Sequence, residues 1–363
     1  MANPPTGTEY RNPKLAAPAG PGSAILVLAA LVIVLAGMKV AADIVVPFLL
    51  AVFLATLTGP SVFWLHRHRV PKVLALLIVL GSVLGFFALI GTVTFNSMQE
   101  FNRNLPSYEA QLLAQTKPLQ AWVEDVLVRF GLGDSWGDLL PALDPRSALG
   151  FAGATLALFG SGVTKVFLAV VMVAFLLGEA FSLPAKVTAA IGPAEKTLDG
   201  FRTFASSVQK YLVIKTATSL LTGLSAGFWV WFMGVDYPVF WGMLAFLFNY
   251  IPNIGSFVAA APAVLMALVQ LGPGSAAVVA IGYLAINVCI GSILEPKTMG
   301  DGVGLSPLVV VMSLVFWGWL LGGVGMLLST PLTISVKIAL ANYDTTRWIS
   351  TLIGSGKAKA IAS

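Results

Sequence analysis

Residues 238–271 read PVFWGMLAFLFNYIPNIGSFVAAAPAVLMALVQL, a run of 34 residues that is apolar except at its centre. That centre is Asn249-Tyr250-Ile251-Pro252-Asn253-Ile254-Gly255. Each arm is shorter than the about 20 residues that a membrane-spanning helix needs, so two full spans do not fit. One straight helix would have to bury a proline and two asparagines. The run therefore predicts a re-entrant hairpin of two half-helices, whose break is tolerated only beside protein or a water-filled cavity.

A second long apolar run, Leu305 to Leu340, has a comparable break at Leu321-Gly322-Gly323-Val324-Gly325. Pro238 begins the first run and Pro307 the second, and in each run another proline follows 24 residues later. Among 21 prolines such spacing can arise by chance. However, each run also follows one full span, and these two spans are predicted to run in opposite directions. Together the two observations predict an inverted repeat in the C-terminal half, a common plan of transporters.

The composition is that of an integral membrane protein. Hydrophobic residues make up 57% of the 363 residues and charged residues only 10%, whereas soluble domains carry about 25% charged residues. The net charge of +5 comes mainly from the tails and short loops, which fits the positive-inside rule better than a nucleic-acid partner. By that rule both termini are expected in the cytoplasm. The single cysteine excludes an intramolecular disulfide.

Hydrophobic runs predict an all-α integral membrane protein with about six full transmembrane helices and two re-entrant hairpins. The expected full spans are Ser23–Ala42, Ile44–Leu65, Val73–Phe95, Leu149–Leu177, Tyr211–Met233 and Ser275–Leu294. The regions are a disordered cytoplasmic tail (1–22), a three-span unit (23–95), an external amphipathic helical segment (96–148), the fourth span with a cytoplasmic linker (149–209), a transport core (210–341) and a cytoplasmic tail (342–363).

The two breaks are the leading candidates for a substrate or ion site. The ends of half-helices leave backbone N–H or C=O groups unpaired, and a ligand can supply their partners. The residues that would form the two tips are Asn249, Pro252, Asn253, Gly255, Gly322, Gly323 and Gly325. An alternative reading, compatible with the first, is that both asparagines only cap the half-helices.

Several polar residues near span ends are weaker candidates for ion binding or gating. They are Asp236, Asn287, Glu295, Lys297 and Asp301. Glu295 is either a proton or cation site at the membrane edge or part of a salt-bridged cytoplasmic loop. Asn287 is expected to make an interhelical hydrogen bond, and Asp236 either attracts cations or marks the interface. No metal site is expected, because the only histidines, His66 and His68, stand among cations. No cofactor is expected either.

These features favour a secondary transporter of a small polar solute that works by alternating access. Cation/proton antiport is the second interpretation and a passive oligomeric channel the third. The chain has no G-x-x-x-x-G-K-[ST] run for a nucleotide and no His-Glu-x-x-His run for a zinc protease. Both histidines lie in one basic loop, which disfavours a serine-type intramembrane enzyme. The protein is therefore expected not to be an enzyme.

The runs at 249–255 and 295–308, with Ser329-Thr330-Pro331, resemble the autoinducer-2 exporter family, a family of predicted multispan permeases. The resemblance extends from about Ala24 to Leu340. It implies a multi-pass protein of the bacterial inner membrane, surrounded by lipid, with a small-molecule or cation substrate and homo-oligomeric assembly. Within that family, some members are linked to export of the signal autoinducer-2 and others resemble sodium/proton antiporters.

Overall fold

The computed structural model describes residues 21–129, 150, 168–180, 186, 189, 195–252, 254–299, 305–341 and 346–354. Regular structure within these ranges is helical. The helices are α1 (Pro21–Val40), α2 (Ala42–Arg67), α3 (Lys72–Arg129), α4 (Leu168–Ala180), α5 (Glu195–Phe232), α6 (Pro238–Phe248), α7 (Gly255–Leu271), α8 (Pro273–Met299), α9 (Pro307–Ala341) and α10 (Arg347–Ile353). The chain divides into two units, Met1–Val45 and Val46–Ser363.

The helices confirm the predicted all-α membrane class. Among the described residues, four helices are long and apolar enough to cross a membrane: α2, α3 over Lys72–Gln111, α8 and α9. Shorter apolar helices are Ala29–Val40, α4, α6 and α7. The predicted tail 1–22 and most of the predicted fourth span, Leu149–Leu177, lie outside the described residues.

Three helices extend beyond the spans expected from hydropathy. α3 continues past Phe95 to Arg129, so the predicted boundary at residue 96 is not a break in the backbone. α5 begins at Glu195, well before the expected start at Tyr211. α8 runs on to Met299, and its stretch Val288–Leu294 is a π-helix. Hydropathy marks where a helix leaves lipid, but backbone hydrogen bonding continues wherever no residue interrupts it.

The first broken run folds back on itself as α6 and α7. Asp236, just before α6, donates its backbone N–H to Oε1 of Gln270 near the end of α7 at 3.0 Å. The two helices are therefore antiparallel, and we call them hairpin 1. At the tip, a Cβ on Gly255 would lie only 1.8 Å from the carbonyl oxygen of Phe248, so glycine is required where the arms meet.

The second broken run also folds back, although its hydrogen bonding continues through the bend. Gly322 has φ 69° and ψ −152°, a conformation that side chains disfavour. The Trp317 Nε1 donates to Oγ1 of Thr333 at 3.0 Å. In a straight helix these residues would be about 24 Å apart. α9 is therefore a helical hairpin, which we call hairpin 2. A re-entrant position of both hairpins in a membrane stays a prediction.

Hairpin 1 packs on α5 through glycine-lined contacts. A Cβ on Gly223 of α5 would lie 2.7 Å from the carbonyl oxygen of Gly242 in α6. Phe240, Trp241 and Leu244 are fully buried in the adjoining core. Hairpin 1 also contacts α3 and α8, while hairpin 2 contacts α5 and α10. α5 is thus the helix that both hairpins share.

The middle of α5 forms a second apolar cluster with hairpin 2, which we call the lower cluster. Its buried members are Tyr211, Leu212, Leu305 and Ile334, with Val208, Met299, Val309, Val310 and Ile338 among the side chains packed against them. α10 joins this end, since the N–H of Ser306 donates to the carbonyl oxygen of Ile353 at 3.2 Å. The predicted tail 342–363 thus includes a helix packed against α9.

Candidate functional site

One face of α5 is polar and buried. Lys215, Thr218, Ser219 and Thr222 follow helical spacing, and each is at most 5% exposed. Polar side chains inside a membrane protein are costly unless other polar groups satisfy them. The partners of this face come from the tip of hairpin 1 and from the end of α8. We call the face and its partners the polar seam.

Asn249 brings the tip of hairpin 1 into the polar seam. Its Nδ2 donates to Oγ of Ser219 at 3.0 Å, and both side chains are buried. Its backbone N–H ends α6 by donating to the carbonyl oxygens of Ala245 and Leu247. The residue therefore occupies the cap position with its backbone, while its side chain faces α5. The capping interpretation thus concerns the backbone of Asn249, and the site interpretation concerns its side chain.

The next residue, Tyr250, is a seam residue that the sequence did not single out. Its hydroxyl donates to Oγ1 of Thr216 at 2.7 Å, which places a second hydrogen bond between the tip and α5. Pro252 is half-buried. The other predicted tip residue, Asn253, lies outside the described residues.

At the end of the polar seam nearer the N-terminus of α5, an ion pair links α5 to α8. The Lys215 Nζ lies 2.7 Å from Oε1 and 2.9 Å from Oε2 of Glu295. The side chains are only 6% and 15% exposed. Oγ1 of Thr218 lies 3.4 Å from the same carboxylate. Glu295 was predicted either at the membrane edge or in a salt-bridged cytoplasmic loop. Its partner is a buried lysine of α5, 80 residues away in the chain, so Glu295 joins two helices.

The π-helical stretch of α8 ends immediately before Glu295. Bonding in a π-helix spans five residues instead of four, so the stretch rotates the following side chains about the helix axis. Asn287 directly precedes this stretch and is half-buried, with its Oδ1 close to Gly291. Lys297, one of the predicted ion or gating residues, is exposed, and Asp301 lies outside the described residues. Of the predicted ion or gating residues that the structure describes, only Glu295 is found in the polar seam.

Asp236 belongs to a separate network at the opposite end of α5. Its Oδ2 accepts from the hydroxyl of Tyr108 at 2.7 Å and from Nε2 of Gln270. The hydroxyls of Tyr108 and Tyr237 are 2.9 Å apart, and Nδ2 of Asn104 approaches both. The network joins α3 to the base of hairpin 1. The structure thus gives Asp236 a bridging role in addition to its predicted place at the outer mouth.

The glycines of hairpin 2 divide into two kinds. Gly322 and Gly323 are exposed, and only Gly322 has a positive φ. Gly325 is buried, and a Cβ there would lie 2.0 Å from the carbonyl oxygen of Trp317. Gly325 thus permits the two arms to meet, as Gly255 does in hairpin 1. Within the described residues, no group of three or more His, Cys, Asp or Glu side chains is placed to hold a metal.

Comparison with known proteins assigns the chain to a family. A family model described as AI-2E family transporter matches residues 28–345. The chain is 42% identical over 316 residues to the AI-2 transport protein TqsA of Escherichia coli K12, covering 87% of this chain and 91% of that protein. It is 41% identical over 339 residues to a putative transport protein of Haemophilus influenzae, covering 91% and 95%. A putative transport protein of Borreliella burgdorferi is 31% identical over 336 residues, covering 90% and 88%.

The matches cover nearly the whole hydrophobic part of the chain, and the similar proteins are named for transport. This agrees with the four described helices that are long and apolar enough to cross a membrane. The chain therefore belongs to the AI-2E family of membrane transporters and is not an enzyme.

Proposed function

We propose that this protein is a secondary transporter that moves a small polar solute across the bacterial inner membrane, with the polar seam as its binding site. The observation that carries the proposal is the buried amide of Asn249 against Ser219, one helical turn from the Lys215–Glu295 pair. Polar and ionisable groups within spans mark substrate or ion pathways, because their burial is costly without such a role.

The first candidate solute is the signal AI-2, and the first candidate direction is export. The support for the solute is that TqsA, at 42% identity, is named an AI-2 transport protein. A small polar solute would compete for the donors and acceptors that the seam presents at Asn249, Tyr250 and Ser219. Cytoplasmic termini and a basic loop at residues 66–72 set the proposed orientation by the positive-inside rule.

Alternating access is supported by the likeness of the two hairpins. Phe248 lies ten residues after Pro238, and Trp317 lies ten residues after Pro307. In each hairpin the carbonyl oxygen of that aromatic residue is the atom nearest to where a Cβ on the tip glycine would lie. Equivalent close contacts at equivalent positions favour an inverted repeat, in which one half rocks against the other.

Cation/proton antiport is the second candidate, and Glu295 favours it. A shortage of buried carboxylates in the C-terminal spans would argue against antiport. The Glu295 side chain is only 15% exposed and is paired within the candidate span Pro273–Met299, so that argument loses its force. A proton or cation could replace the lysine as the partner of this carboxylate.

A flux assay tests the proposal. Proteoliposomes containing the wild type, Asn249→Ala or Ser219→Ala would be loaded with AI-2, with and without sodium and proton gradients. Each variant is expected to lose at least tenfold in flux, since a neutral hydrogen bond is worth about 1 kcal/mol and the remaining partner stays buried and unpaired.

Asn104→Ala is the matched control, because Asn104 belongs to the outer network and not to the seam. Flux through Asn249→Ala equal to that of the wild type, in correctly folded protein, would refute the assignment of the seam. Unitary currents without saturation would favour a channel instead.

A further inference from the structure

A groove lies between α3, α5 and α6, and we call it the apolar groove. Its volume is about 440 Å³, and all fifteen residues that line it are apolar, three of them glycines. Two side chains of its walls are largely exposed, Leu224 at 64% and Val239 at 66%. The α3 wall lies within the candidate span Lys72–Gln111, so the groove opens at the depth of the lipid hydrocarbon.

The two ends of the apolar groove differ. At the end near the tip of hairpin 1, the rings of Phe86 and Phe246 bridge α3 and α6 in an edge contact, with centroids 5.8 Å apart. At the other end lies Trp231, which is 63% exposed and precedes the last residue of α5. Tryptophan at the end of a membrane helix is typical of the level of the lipid headgroups. The groove thus leads from that level inward to a pair of aromatic rings.

The dimensions of the groove fit one extended hydrocarbon chain. Along α5 it extends from Leu220 to Trp231, about 16 Å, and the hydrocarbon of one leaflet is about 15 Å thick. Volume divided by length gives a cross-section of about 27 Å², whereas a helix about 10 Å across occupies about 80 Å². A helix of a second copy could therefore place side chains in the groove but could not enter it.

Glycines form the floor of the groove and keep it empty of side chains from α5 and α6. A Cβ on Gly227 would lie 3.2 Å from the carbonyl oxygen of Pro238 and 3.3 Å from the Cα of Gly242. The two backbones thus meet directly, and the space above them has no atoms to contact on its open side, which forfeits dispersion energy. Within a membrane, such packing rather than the hydrophobic effect holds apolar groups together.

We propose that the apolar groove binds one acyl chain of a membrane phospholipid, with the headgroup beside Trp231 and the terminal methyl beside Phe86 and Phe246. Phe246 also makes an edge contact with Tyr250, with ring centroids 5.7 Å apart, and the Tyr250 hydroxyl donates to Thr216. The bound chain thus braces the tip of hairpin 1 against α3. This effect on the polar seam rests on the proposed transport function, whereas binding of the chain does not.

The test is photo-crosslinking of the full-length protein in vesicles of phosphatidylglycerol. A small fraction of the lipid would carry a diazirine on its palmitoyl chain, either at the terminal carbon or next to the carboxyl group, and labelled peptides would be mapped by mass spectrometry. The terminal probe is expected to label the peptides of Phe86 and Phe246, and the other probe that of Trp231. Equal labelling of these peptides by both probes, or the reverse order, would overturn the proposal.

A variant that fills the groove provides the second measurement. Leu224→Trp is expected to reduce this labelling about tenfold, because overpacking opposes entry of the chain. Leu221→Trp is the matched control, since Leu221 is 43% exposed on the same helix and does not line the groove. Thermal melting confirms that both variants are folded. Undiminished labelling in Leu224→Trp contradicts the proposal.

A second copy of the chain is the competing occupant. Leu224→Cys in a Cys289→Ser background would form a disulfide-linked dimer if two copies met at the groove, and a high yield of that dimer would overturn lipid binding there. Ordered labelling without any flux of AI-2 would leave the groove standing and refute the proposed solute transport. Flux that depends on Asn249, without ordered labelling, would do the opposite.

Discussion

Replacing Gly255 by alanine is expected to disrupt the tip of hairpin 1. The added Cβ would lie 1.8 Å from the carbonyl oxygen and 2.7 Å from the carbonyl carbon of Phe248, and 3.0 Å from the Cβ of Ile251. Two of these three atoms belong to the backbone, so no side-chain rotation removes the clash. The tip would have to open by about 1.5 Å to restore ordinary van der Waals contact.

The cost of this opening can be estimated from overpacking in other proteins. Forcing an extra methyl group into a packed core costs about 1–3 kcal/mol, and a backbone clash belongs at the upper end. About 3 kcal/mol corresponds to a fall in melting temperature of about 4 °C for a chain of this size. Transport should fall further than stability, because the opened tip moves Asn249 away from its bond to Ser219.

The assay is thermal unfolding in detergent together with flux in proteoliposomes. Gly274→Ala is the matched control, since a Cβ there meets nothing within 4 Å and the residue lies in the first turn of α8. Gly325→Ala, with its Cβ 2.0 Å from the carbonyl oxygen of Trp317, should behave like Gly255→Ala if the hairpins are equivalent. A Gly255→Ala protein with wild-type melting and flux would show that the tip has room for a side chain.

Three further variants probe the other contacts. Glu295→Gln should lower the free energy of unfolding by about 3–5 kcal/mol, because it leaves Lys215 buried without its counter-charge. Adding Lys215→Met should restore most of this loss. A double-mutant cycle followed by chemical denaturation measures both effects. Asp236→Ala should cost about 1 kcal/mol by thermal melting, since two side-chain donors lose an acceptor that is itself exposed to solvent. An unchanged melting temperature would show that the outer network is not stabilising. Trp317→Phe should cost about 1 kcal/mol through its bond to Thr333, and no loss would mean that this bond does not help to close hairpin 2.

Much of the fold was predictable because its signals are local. Hydrophobic runs, together with Pro252 and the glycines at 322–325, predicted the class and the two interruptions. A proline or glycine acts on the backbone at its own position, and lipid selects residues by their own polarity. Asn249 was predicted as a site residue for the same reason, since a polar residue in an apolar run needs a partner.

The partners themselves depend on distant parts of the chain. Lys215 and Glu295 are 80 residues apart, and each is an ordinary charged residue near a span end until α5 and α8 pack together.

The membrane class of this protein and the helix breaks at residues 249–255 and 321–325 follow from the polarity and backbone chemistry of neighbouring residues, so they can be read from the chain alone. The side-chain contacts of the polar seam cannot, because they depend on which face each helix turns toward its neighbour. The π-helical stretch directly before Glu295 changes that facing in a way that hydropathy does not reveal.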